Sequence, residues 1–187
     1  MLRQLMHRRI VMVSALVLVV IAIMAIGAPL FASIDPNDTA VLDRLKAPSA
    51  EHLLGTDELG RDLYSRIVHG ARYSLAIAAL TALGAVVAGT ILGLMAGFFR
   101  RLDAPLMRVV DAMMSFPDIL LAIALVAILG PSLMNTVLAL VLVYTPRVAR
   151  VVRASTLVVR ELLFVEAVRA LGVRTSRILW RHILPNL

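Results

Sequence analysis

In a chain of 187 residues, 60% hydrophobic and 17% charged, apolar content exceeds what a soluble core needs, and the mean hydropathy of +0.91 points to an integral membrane protein. A net charge of +7 would suggest nucleic acid in a soluble protein, but here the arginines stand between apolar blocks, where they orient helices. Having no cysteine excludes disulfides, thiol catalysis and Cys-ligated metal; with a single lysine, Lys46, and no G-x-x-x-x-G-K-[ST] stretch, any ATP must be handled by a partner.

The apolar blocks predict four membrane spans. Residues 1–9, with Arg3, His7, Arg8 and Arg9, precede a first span over 10–31. A cleaved signal peptide carries an apolar region of roughly 7–15 residues, so this run reads as a retained anchor. A loop over 32–73 leads to a second span, 74–99, followed at once by Arg100 and Arg101. A short loop, 100–108, precedes a third span, 109–130, and a two-residue turn, 131–132, leads to a fourth, 133–153. At ~1.5 Å per residue, each is long enough for a hydrocarbon core of ~30 Å.

Charge sets the direction. The N-terminus, the 100–108 gap and everything after Pro146 carry arginine in excess, whereas residues 32–69 hold seven of the twelve acidic groups against four basic ones. The alternation predicts a cytoplasmic N-terminus, an external 32–73 loop and a cytoplasmic 154–187 segment. Arg147, Arg150 and Arg153 fall within one ~120° arc of a helix and are expected to snorkel toward the interface as anchors.

Within the second span Ala85, Gly89, Gly93 and Gly97 recur every four residues, a small-residue face that lets two helix backbones approach; the neighbour can lie in this chain or another. In the third span Pro117 frees a carbonyl and bends the axis, as suits a helix lining a pathway. Asp118 beside it, with Asp111 nearer the span's end, is either satisfied by the backbone opened at Pro117 or a pathway residue.

In the 32–73 loop Asp62 is placed to cap a short helix that Gly70 ends, with Leu63, Ile67 and Val68 along the membrane surface. His52, Asp57 and Asp62 lack the spacing of a calcium loop and no second histidine stands at ligand distance, so no metal is expected. Toward the end of the chain, Ala170-Leu171-Gly172-Val173-Arg174-Thr175-Ser176-Arg177-Ile178 looks like a DNA-reading helix-turn-helix. Its second helix, however, runs into Leu179 and Trp180 and then Ile183-Leu184-Pro185, as if returning to the membrane, with Trp180 suited to the interface.

Glu166-Ala167-Val168, then three residues, Gly172, and Leu184-Pro185 resemble the EAA signature of permease subunits of binding-protein-dependent ABC importers. Gly55-Thr56-Asp57-x-x-Gly60-Arg61-Asp62-x-x-Ser65-Arg66-x-x-x-Gly70-Ala71-Arg72 resembles the hallmark of the dipeptide, oligopeptide and nickel branch, specifically its second permease subunit, as do Ser115-Phe116-Pro117 and Leu184-Pro185-Asn186. The chain departs from the pattern at Val168, where the family usually has alanine, and at His182, where an isoleucine is expected and Ile183 follows one place later. The resemblance implies an all-α, polytopic membrane bundle of the type I ABC importer permease class. Four of its six spans are present, residues 74–187 begin the permease domain, and the chain reads as a fragment.

It also implies a non-catalytic inner-membrane subunit without cofactors that moves peptides or nickel chelates. Its partners would be a second permease subunit, two cytoplasmic ATPase subunits or domains, an external substrate-binding protein and membrane lipid, with no nucleic acid. Glu166, Ala167, Val168, Ala170, Leu171 and Gly172 would seat in a groove of the ATPase, with Glu166 paired to a basic group. Two other classes compete. A secondary transporter or channel needs an ion site near the midplane in repeated halves, and here only Asp118 stands well inside a span and no internal repeat is seen; a membrane sensor needs an external ligand domain, for which some forty residues is thin.

Overall fold

The computed structural model describes residues 9–187, so Arg3, His7 and Arg8 lie outside the described part. The described residues form helices α1 (Arg9–Ile26), α2 (Ala28–Phe31), α3 (Leu63–Phe98), α4 (Arg100–Met114), α5 (Asp118–Leu129), α6 (Leu133–Val159), α7 (Leu163–Ala170) and α8 (Thr175–Ile178). No strand occurs among them, only an isolated bridge between Thr56 and Asp62. By length and composition α1 and α3 can cross a membrane, and α4 with α5, bent by 91° at their break, make a third crossing if taken together. The helix expected as the fourth span, α6, has 27 residues, but Arg147, Arg150 and Arg153 interrupt the apolar character of its second half.

Three boundaries differ from expectation. Helix α3 begins at Leu63, eleven residues before 74, and runs straight through Gly70. An isolated glycine costs a helix about 1 kcal/mol, which 36 residues absorb, and Val68 is buried against Ala28 and Ala32 rather than lying along a surface. Residues 100–108 are helix rather than loop: Leu102, Leu106, Val110 and Met113 fall on one face, the last-but-one buried. The first block breaks at Gly27, where the Phe31 ring folds back over the glycine and leaves no room for a Cβ.

The chain divides into two compact units, Met1–Ala78 and Ala79–Leu187. In the first, Ala28, Ala32 and Val68 form a small core flanked by Met24 and Tyr64. In the second, the core gathers Leu94 of α3, Val159 of α6, Val165 of α7, Ile178 of α8 and Ile183.

Candidate functional site

Residues 55–66 close on themselves. Gly55 and Gly60 adopt φ of +79° and +75°, and a Cβ at Gly60 would stand 1.8 Å from the Ala40 carbonyl oxygen, so both backbone twist and crowding demand glycine there. Buried Thr56 accepts from Lys46 N at 2.8 Å and donates its hydroxyl to the Asp43 carbonyl. Asp57 Oδ1 accepts from Leu59 N and Arg61 N at 2.8 and 3.0 Å, while Oδ2 takes Arg61 Nε at 2.8 Å and Arg66 Nη1 at 3.0 Å.

Burial opposes ionisation of Asp57, but the Arg61 and Leu59 amides and the Arg61 guanidinium outweigh it and hold its carboxyl below the usual value. Asp62 caps α3, its Oδ2 accepting from Ser65 N at 2.7 Å, while Oδ1 lies 3.0 Å from His52 Nδ1. Burial raises its pKa too, and the Ser65 and His52 contacts reverse the sign. His52 and Asp57 thus serve different partners. Gly70, Ala71 and Arg72 continue along α3 outside this knot, and Arg72 borders a mostly apolar cleft with Ala22 and Ala25 of α1.

The small-residue face finds its neighbour inside the chain. A Cβ on Gly89 would meet Val148 at 2.5 Å, on Gly93 the Ala149 carbonyl oxygen at 2.6 Å, and on Gly97 the Thr156 side chain at 2.6 Å, so α3 and α6 lie backbone to backbone there. Buried Ala85 belongs to the same face. Gly84, off the four-residue repeat, is equally tight against Val141. Another face of α6 carries the arginines, and they are not free anchors: Arg147 pairs with Asp118, Arg150 with Asp111 and Arg153 with Asp103, each at 2.5 Å. Two rungs fall on α4 and one on α5, so the ladder spans the break at residues 115–117. Helix α4 ends at Met114 and Pro117 is the N-cap of α5, so the proline opens a new helix instead of kinking a single one, and Asp118 is satisfied by Arg147 rather than by opened backbone. Under the bend lies an apolar cavity of about 320 Å³ lined by Ala112, Met113, Phe116, Leu121, Leu125 and Leu142 among others.

Helix α7 is short and two-faced. Val165 is fully buried and Val168 packs on the same core, while Glu166, Ala167, Ala170 and Leu171 are exposed, and Glu166 forms no ion pair among the described residues. Gly172 at φ +72° ends α7, donating to Arg169 O at 3.0 Å, and Val173 N reaches back to Val168 O at 3.4 Å. This is a Schellman cap with its apolar contact, for Val173 and Val168 share the core. No atom crowds the Gly172 Cβ position, so conformation alone requires glycine. The following helix α8 has four residues, buries Ile178 and passes into a π turn, Leu179–Ile183, whose Ile183 is fully buried. A four-residue helix pinned to the core by Ile178 and continuing into a buried π turn is too short and too tied down to serve as a recognition helix in a major groove.

Residues 86–187 match the family described as binding-protein-dependent transport system inner membrane component. The chain belongs to that family. Residues 1–48 further match the N-terminal transmembrane domain of oligopeptide transport permease C. Similar proteins include a Brucella suis protein provisionally named a peptide transport system permease, 46% identical over 184 residues, 98% of this chain and 62% of the relative. A dipeptide transport system permease of Alkalihalophilus pseudofirmus is 44% identical, over 98% of this chain and 61% of the relative. A glutathione transport system permease of Pectobacterium atrosepticum is 39% identical, over 98% and 62%. The chain thus spans about three fifths of the length of these curated relatives.

In this inner membrane component the two departures from the signature have a structural reading. Val168 turns inward, where a larger side chain fills core space, and Ile183 occupies the buried position while His182 is only half-buried. Sequence reasoning missed Asp103 and Asp111 as partners of the arginines: acids at 103, 111 and 118 match arginines at 153, 150 and 147 only once the two stretches are seen to run antiparallel. It also missed Leu45, held at φ +52° where its amide donates to Asp57 O.

Proposed function

We propose that this chain is a membrane-spanning permease subunit of an ATP-driven importer, working with a second permease subunit, two cytoplasmic ATPase subunits and an external substrate-binding protein. Its cargo is a short peptide, in keeping with the dipeptide and glutathione systems for which its relatives are named; nickel chelates are the alternative cargo. The N-terminus and residues 154–187 face the cytoplasm, and residues 32–62 face outward, as the charge alternation requires.

The observation that carries the reading is the outward face of α7. Glu166, Ala167 and Ala170 stand exposed beside Leu163 and Leu171, exposed by 83% and 82%, on a helix whose other face is locked into the core by Val165. A carboxylate ringed by small and apolar side chains on a rigid short helix suits insertion into a partner's groove. A push on α7 passes through Val165 and Ile178 to Leu94 and Val159, at the ends of α3 and α6, because close-packed cores move as bodies rather than deforming. Helix α6 then carries α4 and α5 with it through the three arginine rungs, and the break at residues 115–117 lets α5 turn against α4. Pro117 and Asp118 therefore stand at the moving point of the translocation pathway.

The test is ATP-driven dipeptide uptake by the assembled transporter in vesicles. Glu166→Arg is expected to lower uptake at least tenfold. Since the chain lacks cysteine, Ala167→Cys gives a single reactive thiol that should cross-link to the ATPase. Unchanged uptake in the charge-reversed variant, with no cross-link, would remove α7 as the coupling element.

A further inference from the structure

We infer that the junction of α3, α4, α6 and α7 holds a phosphate group, supplied in the membrane by the headgroup of an anionic phospholipid. Three arginines and Phe98 line one cleft. Arg100 opens α4, Arg160 follows α6, and Arg169 from the last turn of α7 lies 5.5 Å above the Phe98 ring. With Glu161 they line a cleft of about 160 Å³. Arg160 donates Nη1 to Gly97 O at 2.6 Å and Nε to Glu161 Oε1 at 2.9 Å, which fixes it in place with Nη2 to spare. Arg100 and Arg169 form no ion pair among the described residues, so the cleft keeps two uncompensated positive charges.

The contrast with the neighbouring arginines is informative. Arg147, Arg150 and Arg153 each meet a carboxylate, whereas these three share one, itself largely exposed. Guanidinium forks match phosphate oxygens in geometry and charge. The cleft also sits where the apolar run of α3 gives way to arginine, the depth at which basic interhelical pockets take anionic headgroups. Which leaflet supplies the lipid rests on the orientation proposed above; binding itself does not.

The experiment reads binding and not transport. The purified full chain is reconstituted in phosphatidylcholine vesicles with trace spin-labelled phosphatidylglycerol or phosphatidylcholine, and the immobilised fraction of each label is measured, with and without inorganic phosphate. The wild type should retain phosphatidylglycerol selectively. Each of Arg100→Gln and Arg169→Gln should weaken that preference about fivefold, and Arg108→Gln, exposed on α4 outside the cleft, should leave it unchanged. Phosphate that displaces the labelled lipid from wild type confirms a phosphate site without any variant. Phosphate binding that depends on Arg100 and Arg169, without lipid selectivity, keeps the site and assigns it to the free anion. Equal weakening by Arg108→Gln, or no selectivity and no phosphate effect, overturns the inference.

Discussion

The motif at residues 55–66 and helix α7 are both rich in charged and small residues, yet they use them in opposite directions. Around residue 57 the aspartates and the threonine of the motif are taken up internally: Asp57 holds Arg61 and Arg66, Asp62 holds His52 and the first turn of α3, and Thr56 ties two stretches of loop together. On α7 Val165 and Val168 turn into the core, while Glu166 and the alanines are exposed and Glu166 forms no ion pair among the described residues. A motif satisfied within its own fold maintains shape, whereas an unsatisfied one on a rigid support presents a surface. On the function proposed above, the difference is that between a structural and a docking role.

That contrast is most open to attack at Gly60. Gly60→Ala puts a side chain in the left-handed region, at about 1–2 kcal/mol, and drives its Cβ into the Ala40 carbonyl, from which it would be 1.8 Å. We expect destabilisation of about 3–5 kcal/mol, read as a lowered thermal midpoint in detergent and cleavage between residues 40 and 62. Gly93→Ala comes next. Its Cβ would meet the Ala149 carbonyl oxygen at 2.6 Å, backbone against backbone, so α3 and α6 must part. Overpacking of this kind costs about 1–3 kcal/mol, again visible in the thermal midpoint; a variant as stable as wild type would show that the glycine face is not a tight interface.

Acid sharpens the internal side of the comparison. Asp57 and Asp62 both titrate below their ordinary values in the folded chain. Depressed carboxylates stabilise fully above the unfolded-state pKa of about 3.9 and lose that contribution as pH falls through the lower folded-state value. Hydrogen exchange at the amides of residues 55–65 should therefore stay slow down to about pH 4 and accelerate below it, and Asp57→Asn should blunt that acid response. Exchange in α7 should show no such transition. Smaller again is the arginine ladder: Arg147→Gln removes one half-exposed rung, at about 1 kcal/mol or less. The reciprocal pair Arg147→Asp with Asp118→Arg should restore whatever stability either reversal alone removes.

How much of this was legible in the sequence follows the range of the interactions involved. The apolar blocks, the glycine face and the α7 signature were readable because periodicity and local motif determine them. The true start of α3 was not, since Arg66, His69 and Arg72 look like loop until Val68 is seen packed on Ala28 and Ala32 from another helix. Residues 100–108 were misread for the same reason, charge masking the Leu102, Leu106, Val110 spacing. The ladder needed the antiparallel placement of α6 against α4 and α5, which no local signal carries; without it Arg147, Arg150 and Arg153 look like interfacial anchors.

The smallest predicted effect is the one that tests the comparison hardest. Glu166→Ala removes a carboxylate with no ion pair among the described residues, from an exposed position on a helix whose seat depends on Val165 and on the Gly172 cap. Alanine has the higher helix propensity, and exposed substitutions away from caps and cores shift stability by about ±0.5 kcal/mol. The thermal midpoint should therefore not move, whereas Asp57→Ala, a carboxylate of equal charge in the internal motif, should lower it and expose the loop to protease. If Glu166→Ala destabilises the isolated chain as much as Asp57→Ala does, then Glu166 is a structural residue and α7 loses its claim to be a presented surface. If stability holds while ATP-driven uptake falls, the residue's only partner lies outside this chain, where the outward face of α7 points.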